Sequence, residues 1–415
     1  MERVVLHCDC NGFYASVECL LRPELKNVPM AVCGDPASRH GIILAKNELA
    51  KRFHIQTAET VWQAKRKCPE LVLAAPHREE YQKYSRLVNQ IYERFTDQVE
   101  PFGIDESWLD VTGSRALFGD GRQIADTIRN TVREELGLTI SVGVSFNKIF
   151  AKLGSDYKKP DATTEITREN FRQIVWPLPV GALLYVGKSV QESLGRLSIR
   201  TIGQLANSDR RLIAGRLGKV GEMIHDYANG RDDSPVRPAG EHREVKSVGN
   251  GMTFRRDLLG LADIRLAALA LSDSVAARLR AQGLKCRTVQ ATIRSPDFKT
   301  ITRQKPLGHA SFLADDLAKA AIELVQAGWD LRAPIRMLTI TAGNLVPEEE
   351  GEQLSLFDRA DPERTQKQER LERAMDQIRQ RYGHGSIARA GALGNDLGIE
   401  DPEKQLPPPD GESEK

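Results

Sequence analysis

The sequence predicts an α+β multidomain protein, on three observations. Over residues 1–165, apolar runs of strand length alternate with amphipathic helical periodicity. Residues 166–240 turn all-helical and are punctuated by glycine, and from 241 to 346 strands and helices alternate again. An acidic stretch, 347–415, closes the chain. At 415 residues the protein is too long for one ordinary domain and suits about two to four.

The first region offers strands at Val4–Cys8, Met30–Cys33, Ile42–Ala45, Leu71–Ala75, Gln98–Phe102, Ser107–Val111 and Thr139–Ser145, with amphipathic helices at Glu79–Asp97 and Arg122–Leu136. In the second, Tyr185-Val186-Gly187-Lys188-Ser189 reads as the turn of a helix-hairpin-helix. There Gly187 would let the backbone approach a phosphate, with Lys188 and the amides donating to it. The third gives a strand at Val245–Phe254, a helix at Leu261–Gln282, a hairpin from Cys286–Ile293 to Thr300–Gln304, a helix at Leu313–Ala327 and a strand at Ile335–Ala342. Two strand–helix–strand halves then make a small sandwich of four strands and two helices. One polar helix is expected at Arg364–Tyr382, and the Pro/Glu/Asp end Asp401–Lys415 lacks the apolar area to order itself.

Composition excludes several classes. No run of roughly 18 apolar residues is present, so no membrane-spanning helix is expected. Met1-Glu2-Arg3-Val4 leads directly into a strand, without a signal-peptide pattern. Six scattered cysteines, with no histidine cluster to complete a zinc set, read as reduced buried thiols of a cytoplasmic protein. The net charge of +2 is unevenly spread. Residues 241–346 hold 16 Lys/Arg against 10 Asp/Glu, or +6, whereas 347–415 hold 10 against 17, or −7. A basic segment before an acidic tail suggests a polyanion partner for the first and a solvated linker for the second.

The chemistry concentrates in acids. Asp105 and Glu106 sit between apolar runs, where a β-hairpin would present them at its turn, and Asp9 ends the first strand. Three carboxylates at strand ends are what a two-metal phosphoryl-transfer site requires, because Mg²⁺ takes hard oxygen ligands and keeps several waters.

Three stretches then resemble, in order, the motifs of the Y-family translesion DNA polymerases: Asp9-Cys10-Asn11-Gly12-Phe13-Tyr14-Ala15-Ser16-Val17-Glu18, Gly103-Ile104-Asp105-Glu106-Ser107-Trp108-Leu109-Asp110, and Ser141-Val142-Gly143-Val144-Ser145-Phe146-Asn147-Lys148 continuing to Lys158-Lys159-Pro160. The likeness continues through the helix-hairpin-helix into Lys246-Ser247-Val248-Gly249-Asn250, covers about residues 1–346, and is strongest to the bacterial polymerase IV branch. It implies a right-hand polymerase: ferredoxin-like palm and small fingers in 1–165, helix-hairpin-helix thumb in 166–240, and a four-strand, two-helix little finger in 241–346. It further implies low-fidelity, template-directed dNTP addition across damaged bases, without a proofreading exonuclease.

Carried over residue by residue, the resemblance makes Asp9, Asp105 and Glu106 the catalytic acids. They would hold two Mg²⁺ ions together with the Cys10 carbonyl. Phe13, Tyr14, Lys51 and Lys159 would meet the nucleotide, with Tyr14 as the steric gate against a 2′-hydroxyl. Gly187, Lys188, Arg243, Lys246, Ser247, Arg255, Arg294, Arg303 and Arg336 would contact primer-template DNA. Gln353-Leu354-Ser355-Leu356-Phe357 resembles the pentapeptide that binds the bacterial sliding clamp, and the chain is expected to be a monomer. Two departures stand out. Glu48 and Lys51 occupy positions where many relatives carry Tyr and Arg for the triphosphate, and an acid there is unfavourable unless it is neutralised or turned away. Gly12 replaces a larger residue and Asn11 a common acid. A nucleotidyl cyclase with a similar palm would need neither the helix-hairpin-helix nor the basic segment. A catalytically dead scaffold of a mutagenic complex would have lost the acids.

Overall fold

The structure, a computed structural model, describes residues 2–35, 41–241, 244–350, 362–389 and 395–399. It divides into two compact units, residues 1–242 and 243–415.

In chain order the first unit contains β1 (Val5–Cys10), α1 (Phe13–Leu21), β2 (Met30–Cys33), β3 (Ile43–Lys46), α2 (Glu48–Lys51), α3 (Val61–Lys67), β4 (Val72–Ala74) and α4 (Arg78–Glu93). There follow β5 (Val99–Pro101), β6 (Glu106–Asp110), α5 (Arg115–Phe118), α6 (Gly121–Leu136), β7 (Ile140–Ser145), α7 (Lys148–Tyr157) and β8 (Thr163–Ile166). Short helices complete it: α8 (Phe171–Ile174), α9 (Lys188–Gly195), α10 (Ile202–Ala206), α11 (Arg210–Leu217) and α12 (Lys219–Ala228).

Five strands form one sheet in the order β5-β6-β1-β7-β8, and β3-β2-β4 form a second. β1 is central and buried along its whole length, which is why it reads as a continuous apolar run. Strand alternation sorts its side chains by face. Leu6, Cys8 and Cys10 enter a core with Val88, Ile91 and Tyr92 of α4 and Ile124, Ile128 and Val132 of α6. Val5, His7 and Asp9 face the other way, where Val5 meets Trp108 and Ala151 of α7. α7 lies very close to the sheet. A Cβ on Gly143 would stand 1.9 Å from the Ala151 carbonyl oxygen, so only glycine admits the helix at this distance. Asn147 caps α7 by accepting from the Phe150 amide at 2.8 Å. Expected and observed strands here differ by one or two residues at their ends. The first reaches Cys10 and so carries Asp9 within it.

The second unit contains β9 (Ser247–Leu258), α13 (Gly260–Ala281), β10 (Leu284–Arg294), β11 (Thr300–Ser311), α14 (Ala314–Gly328), β12 (Ile335–Pro347) and α15 (Pro362–Tyr382). Its sheet, β11-β10-β12-β9, is wholly antiparallel. Val289, Ala291 and Ile293 of β10 and Leu338, Ile340 and Ala342 of β12 pack with α13 and α14. The hairpin's second arm runs seven residues beyond the expected Gln304, to Ser311. Lys305, Pro306, Gly308 and His309 within it break any apolar pattern. The C-terminal helix also does more than its polar sequence suggests. Glu372 is 1% exposed, lies 2.5 Å from Arg280, and accepts from the Ala314 amide at the start of α14. Further on, Leu397 is fully buried in the core, and its carbonyl accepts from the Arg255 amide at 3.1 Å.

Candidate active site

Asp9 and Glu106 are paired across β1 and β6, and Asp105 occupies the turn that joins β5 to β6. The Cys10 amide donates to the Asp105 carbonyl at 2.9 Å, which ties that turn to the end of β1. All three acids line one cavity of about 570 Å³, together with Cys10, Phe13, Tyr14, Lys46, Lys51, Lys152, Asp156 and Lys159. The acid pair therefore stands where the hairpin reading put it.

Their environments differ sharply. The Asp105 carboxyl is pushed up to about 6, first by burial and then by the charges of Asp9 and Glu106. Burial would raise Glu106 as well, but the neighbouring His7 and the hydrogen bond and charge of Lys152 outweigh it and hold that carboxyl at about 2. Lys152 Nζ lies 2.5 Å from Glu106 and 3.4 Å from Asp9. Lys159 Nζ lies 2.7 Å from Asp9 and 2.8 Å from Asp156. Both ammonium groups are pulled above their usual range, Lys152 to about 12, with the neighbouring acids overcoming the opposing effect of burial.

His7, Lys152 and Asp156 were not singled out from the sequence. His7, fully buried, sits two positions before Asp9 on the same face of β1. Its Nε2 lies 3.4 Å from Glu106 and its Nδ1 2.8 Å from the Ser155 hydroxyl of α7. Strand period was the signal that could have found it. Lys152 follows from helical spacing, since 152 and 156 stand one turn apart on α7, with Lys159 just beyond its end. The Cys10 side chain lies in the core on the face of β1 away from Asp9, while its backbone reaches the cavity end of the strand.

His7, Asp9 and Glu106 each offer a ligand atom within 4.8 Å of the others. Asp105 extends this set in the same cavity. Oxygen donors predominate, which fits a hard divalent cation.

Tyr14 is half-buried in the first turn of α1 and stacks on Tyr81, with ring centroids 4.2 Å apart and planes inclined by 10°. Phe13 behaves differently. The residue is 3% exposed and belongs to the core while also lining the cavity. Gly12 adopts φ +55 at the start of this helix, a conformation that a larger residue would hold only under strain.

The sequence was compared with known proteins. The impB/mucB/samB family matches residues 8–156, and the C-terminal domain of that family matches 245–356. A DNA polymerase IV of Acetivibrio thermocellus is 47% identical over 96% of this chain and 99% of its own length. One of Clostridium kluyveri is 37% identical over 95% and 98%. The chain belongs to the DNA polymerase IV family. A Y-family DNA polymerase chimera superposes with a TM-score of 0.74 at 21% identity, covering 83% of this chain and 99% of the chimera, which shows the shared fold.

Within this polymerase fold, the departure at the fingers resolves locally. Lys51 Nζ lies 2.5 Å from Glu48, so the acid is neutralised by its own helix, and Lys51 rather than Glu48 lines the cavity. Lys46 joins it there, 3.1 Å from Thr57. Gly187 is the exposed N-cap of α9 at an ordinary φ of −74, and Lys188 is exposed beside it.

The expected DNA contacts separate by face. Ser247 and Arg255 on β9 and Arg294 on β10 belong to the sheet face opposite the helices, with Lys246 exposed just before β9. Arg336 lies over the Phe298 ring at 5.0 Å. Arg303 departs from the expectation. It pairs with the inward-facing Ala291, and its side chain lies beside Gly328 at the end of α14, on the helical side. Arg243 and the peptide Gln353-Leu354-Ser355-Leu356-Phe357 lie outside the described residues.

Proposed function

We propose that this chain performs template-directed DNA synthesis across damaged bases, with Asp9, Asp105 and Glu106 as the catalytic acids. The observation that carries this reading is their convergence on one cavity also lined by Tyr14 and Lys159. Two Mg²⁺ ions, when bound, would lower the primer 3′-hydroxyl pKa and stabilise charge on the phosphorus in transfer. The three acids would hold them, with the Cys10 carbonyl.

The protein's own groups bind and orient. Lys159, and with it Lys152, is a compact cation that would offset charge on the departing pyrophosphate. Lys51 and Lys46 would meet the triphosphate from the fingers. The ring of Tyr14 would leave no room for a 2′-hydroxyl. Residues 1–165 would act as palm and fingers, 166–240 as thumb, and 241–346 as little finger. Lys188, Lys246, Ser247, Arg255, Arg294 and Arg336 would grip DNA phosphates. Residues 353–357 would bind the sliding clamp of a cytoplasmic, monomeric enzyme.

Primer extension with Mg²⁺ tests the assignment. Asp105→Ala should bind primer-template yet fail to extend it. Persistent synthesis by that variant would refute the role given to the acids.

A further inference from the structure

Resting on the reading of Tyr14 as the sugar gate, we infer that Glu18 and Tyr81 are positioning residues that set the stringency of sugar discrimination. The Tyr14 ring has the cavity beside it and Tyr81 stacked against it at 4.2 Å. A ring excludes a hydroxyl only if it cannot retreat, because a ribose and a deoxyribose differ by one atom's reach. Tyr81, in the first turn of α4, is 1% exposed and so has no free space to yield.

The far end of Tyr81 is held as well. Its hydroxyl donates to Glu18 at 2.5 Å. Glu18 is fully buried and lies one helical turn beyond Tyr14 on α1, so the two share a face. The carboxylate is gripped from other sides by Arg22 Nη2 at 3.0 Å, the His77 amide at 3.3 Å and His77 Nδ1 at 2.8 Å. These bonds keep it ionised in spite of its burial. Tyr14, Tyr81 and Glu18 thus close a triangle between α1 and α4. None of its bonds reaches a catalytic acid, so the device acts on fit and leaves the chemistry to the acids. A buried carboxylate with four donors is a costly feature for a helix pair that could pack with apolar residues alone. Its position behind the gate gives it a use.

The test compares kcat/KM for a dNTP and the matching rNTP on one primer-template, using the full-length chain. Loss of active fraction scales both constants equally, so their ratio reports the gate rather than folding. Tyr81→Phe keeps the stacked ring and removes its tether, while Glu18→Gln keeps the shape and removes the charge. Each should raise relative rNTP use on the order of two- to tenfold, the range to which the net worth of one hydrogen bond converts, mainly through rNTP KM. Tyr14→Ala should raise it further, and adding Tyr81→Phe to that variant should change nothing more. If Tyr81→Phe keeps the wild-type ratio while Tyr14→Ala opens the site, the inference falls and the gate stands. The inference also falls if Tyr81→Phe acts equally with Tyr14 absent. If Tyr14→Ala itself leaves the ratio unchanged, the gate reading falls and the inference with it.

Discussion

Replacing Asp105 with Asn should make the metal-free protein more stable at neutral pH. The Asp105 carboxyl titrates near 6 in the fold against 3.8 when unperturbed, because burial and two neighbouring acids oppose its charge. A folded pKa above the unfolded one means that the folded state holds its proton longer, so stability falls as pH rises from about 4 to 6. Above that window the penalty is complete, at most about 3 kcal/mol from a shift of roughly two units. The neutral amide escapes it. Thermal melts in EDTA at pH 7.5 should therefore place Asp105→Asn several degrees above wild type, with the advantage disappearing toward pH 4. Glu106→Gln should do the reverse. Its carboxyl is held near 2 against 4.5, so it stabilises above about pH 4.5 and loses that contribution as pH falls toward 2. Removing it at pH 7.5 sacrifices up to about 3 kcal/mol. Equal or lower stability of Asp105→Asn at pH 7.5 in EDTA would contradict the electrostatic account of this site.

Other outcomes follow from other parts of the molecule. Lys152→Met should lower the melting temperature more in EDTA than in saturating Mg²⁺, since a bound cation can replace the missing ammonium between Asp9 and Glu106; equal losses in both conditions would rule this out. Arg294→Ala should reduce the slope of log K for DNA against log salt by about one, whereas Arg303→Ala, on the helical side of the sheet, should leave it near the wild-type value. Changing Leu356 and Phe357 together to Ala should abolish processivity gained from the sliding clamp without altering clamp-free extension, because tethering acts through effective concentration alone. A double variant that still migrates with the clamp and is stimulated normally would remove the pentapeptide from that role.

Much of this was legible in the sequence because local signals agreed with tertiary ones. Asp105 and Glu106 read as a hairpin turn since β5 and β6 pair around them, and Asp9 read as a strand end because β1 is apolar and buried. His7 and Lys152 were harder to see. A histidine within an apolar strand looks like packing, and Lys152 reaches Glu106 only because Gly143 lets α7 lie against the sheet. The partners of Glu372 were hidden for a similar reason, since Arg280 and Ala314 stand 92 and 58 positions away. A polar helix whose charges find buried partners at such separations looks, residue by residue, like a solvated one.

The opposite shifts of Asp105 and Glu106 point to a division of labour within the acid cluster. Glu106 is fixed by its pairing with Asp9 on β1, by His7, which Ser155 holds, and by Lys152, all on elements closed by backbone bonds or by the Gly143 contact. Among the described residues, no comparable side-chain partner fixes Asp105, which sits in the turn and is tied to β1 through its carbonyl. On the proposed reading of these acids as metal ligands, rigid members would hold geometry ready beforehand while one less constrained member could adjust as charged substrates enter and leave. The rigid members here lie on the central sheet, where the packing of α4, α6 and α7 tolerates little movement. The remaining acid lies in the hairpin turn, and its raised carboxyl pKa marks first its burial and then the repulsion of Asp9 and Glu106, the part that an arriving cation would relieve.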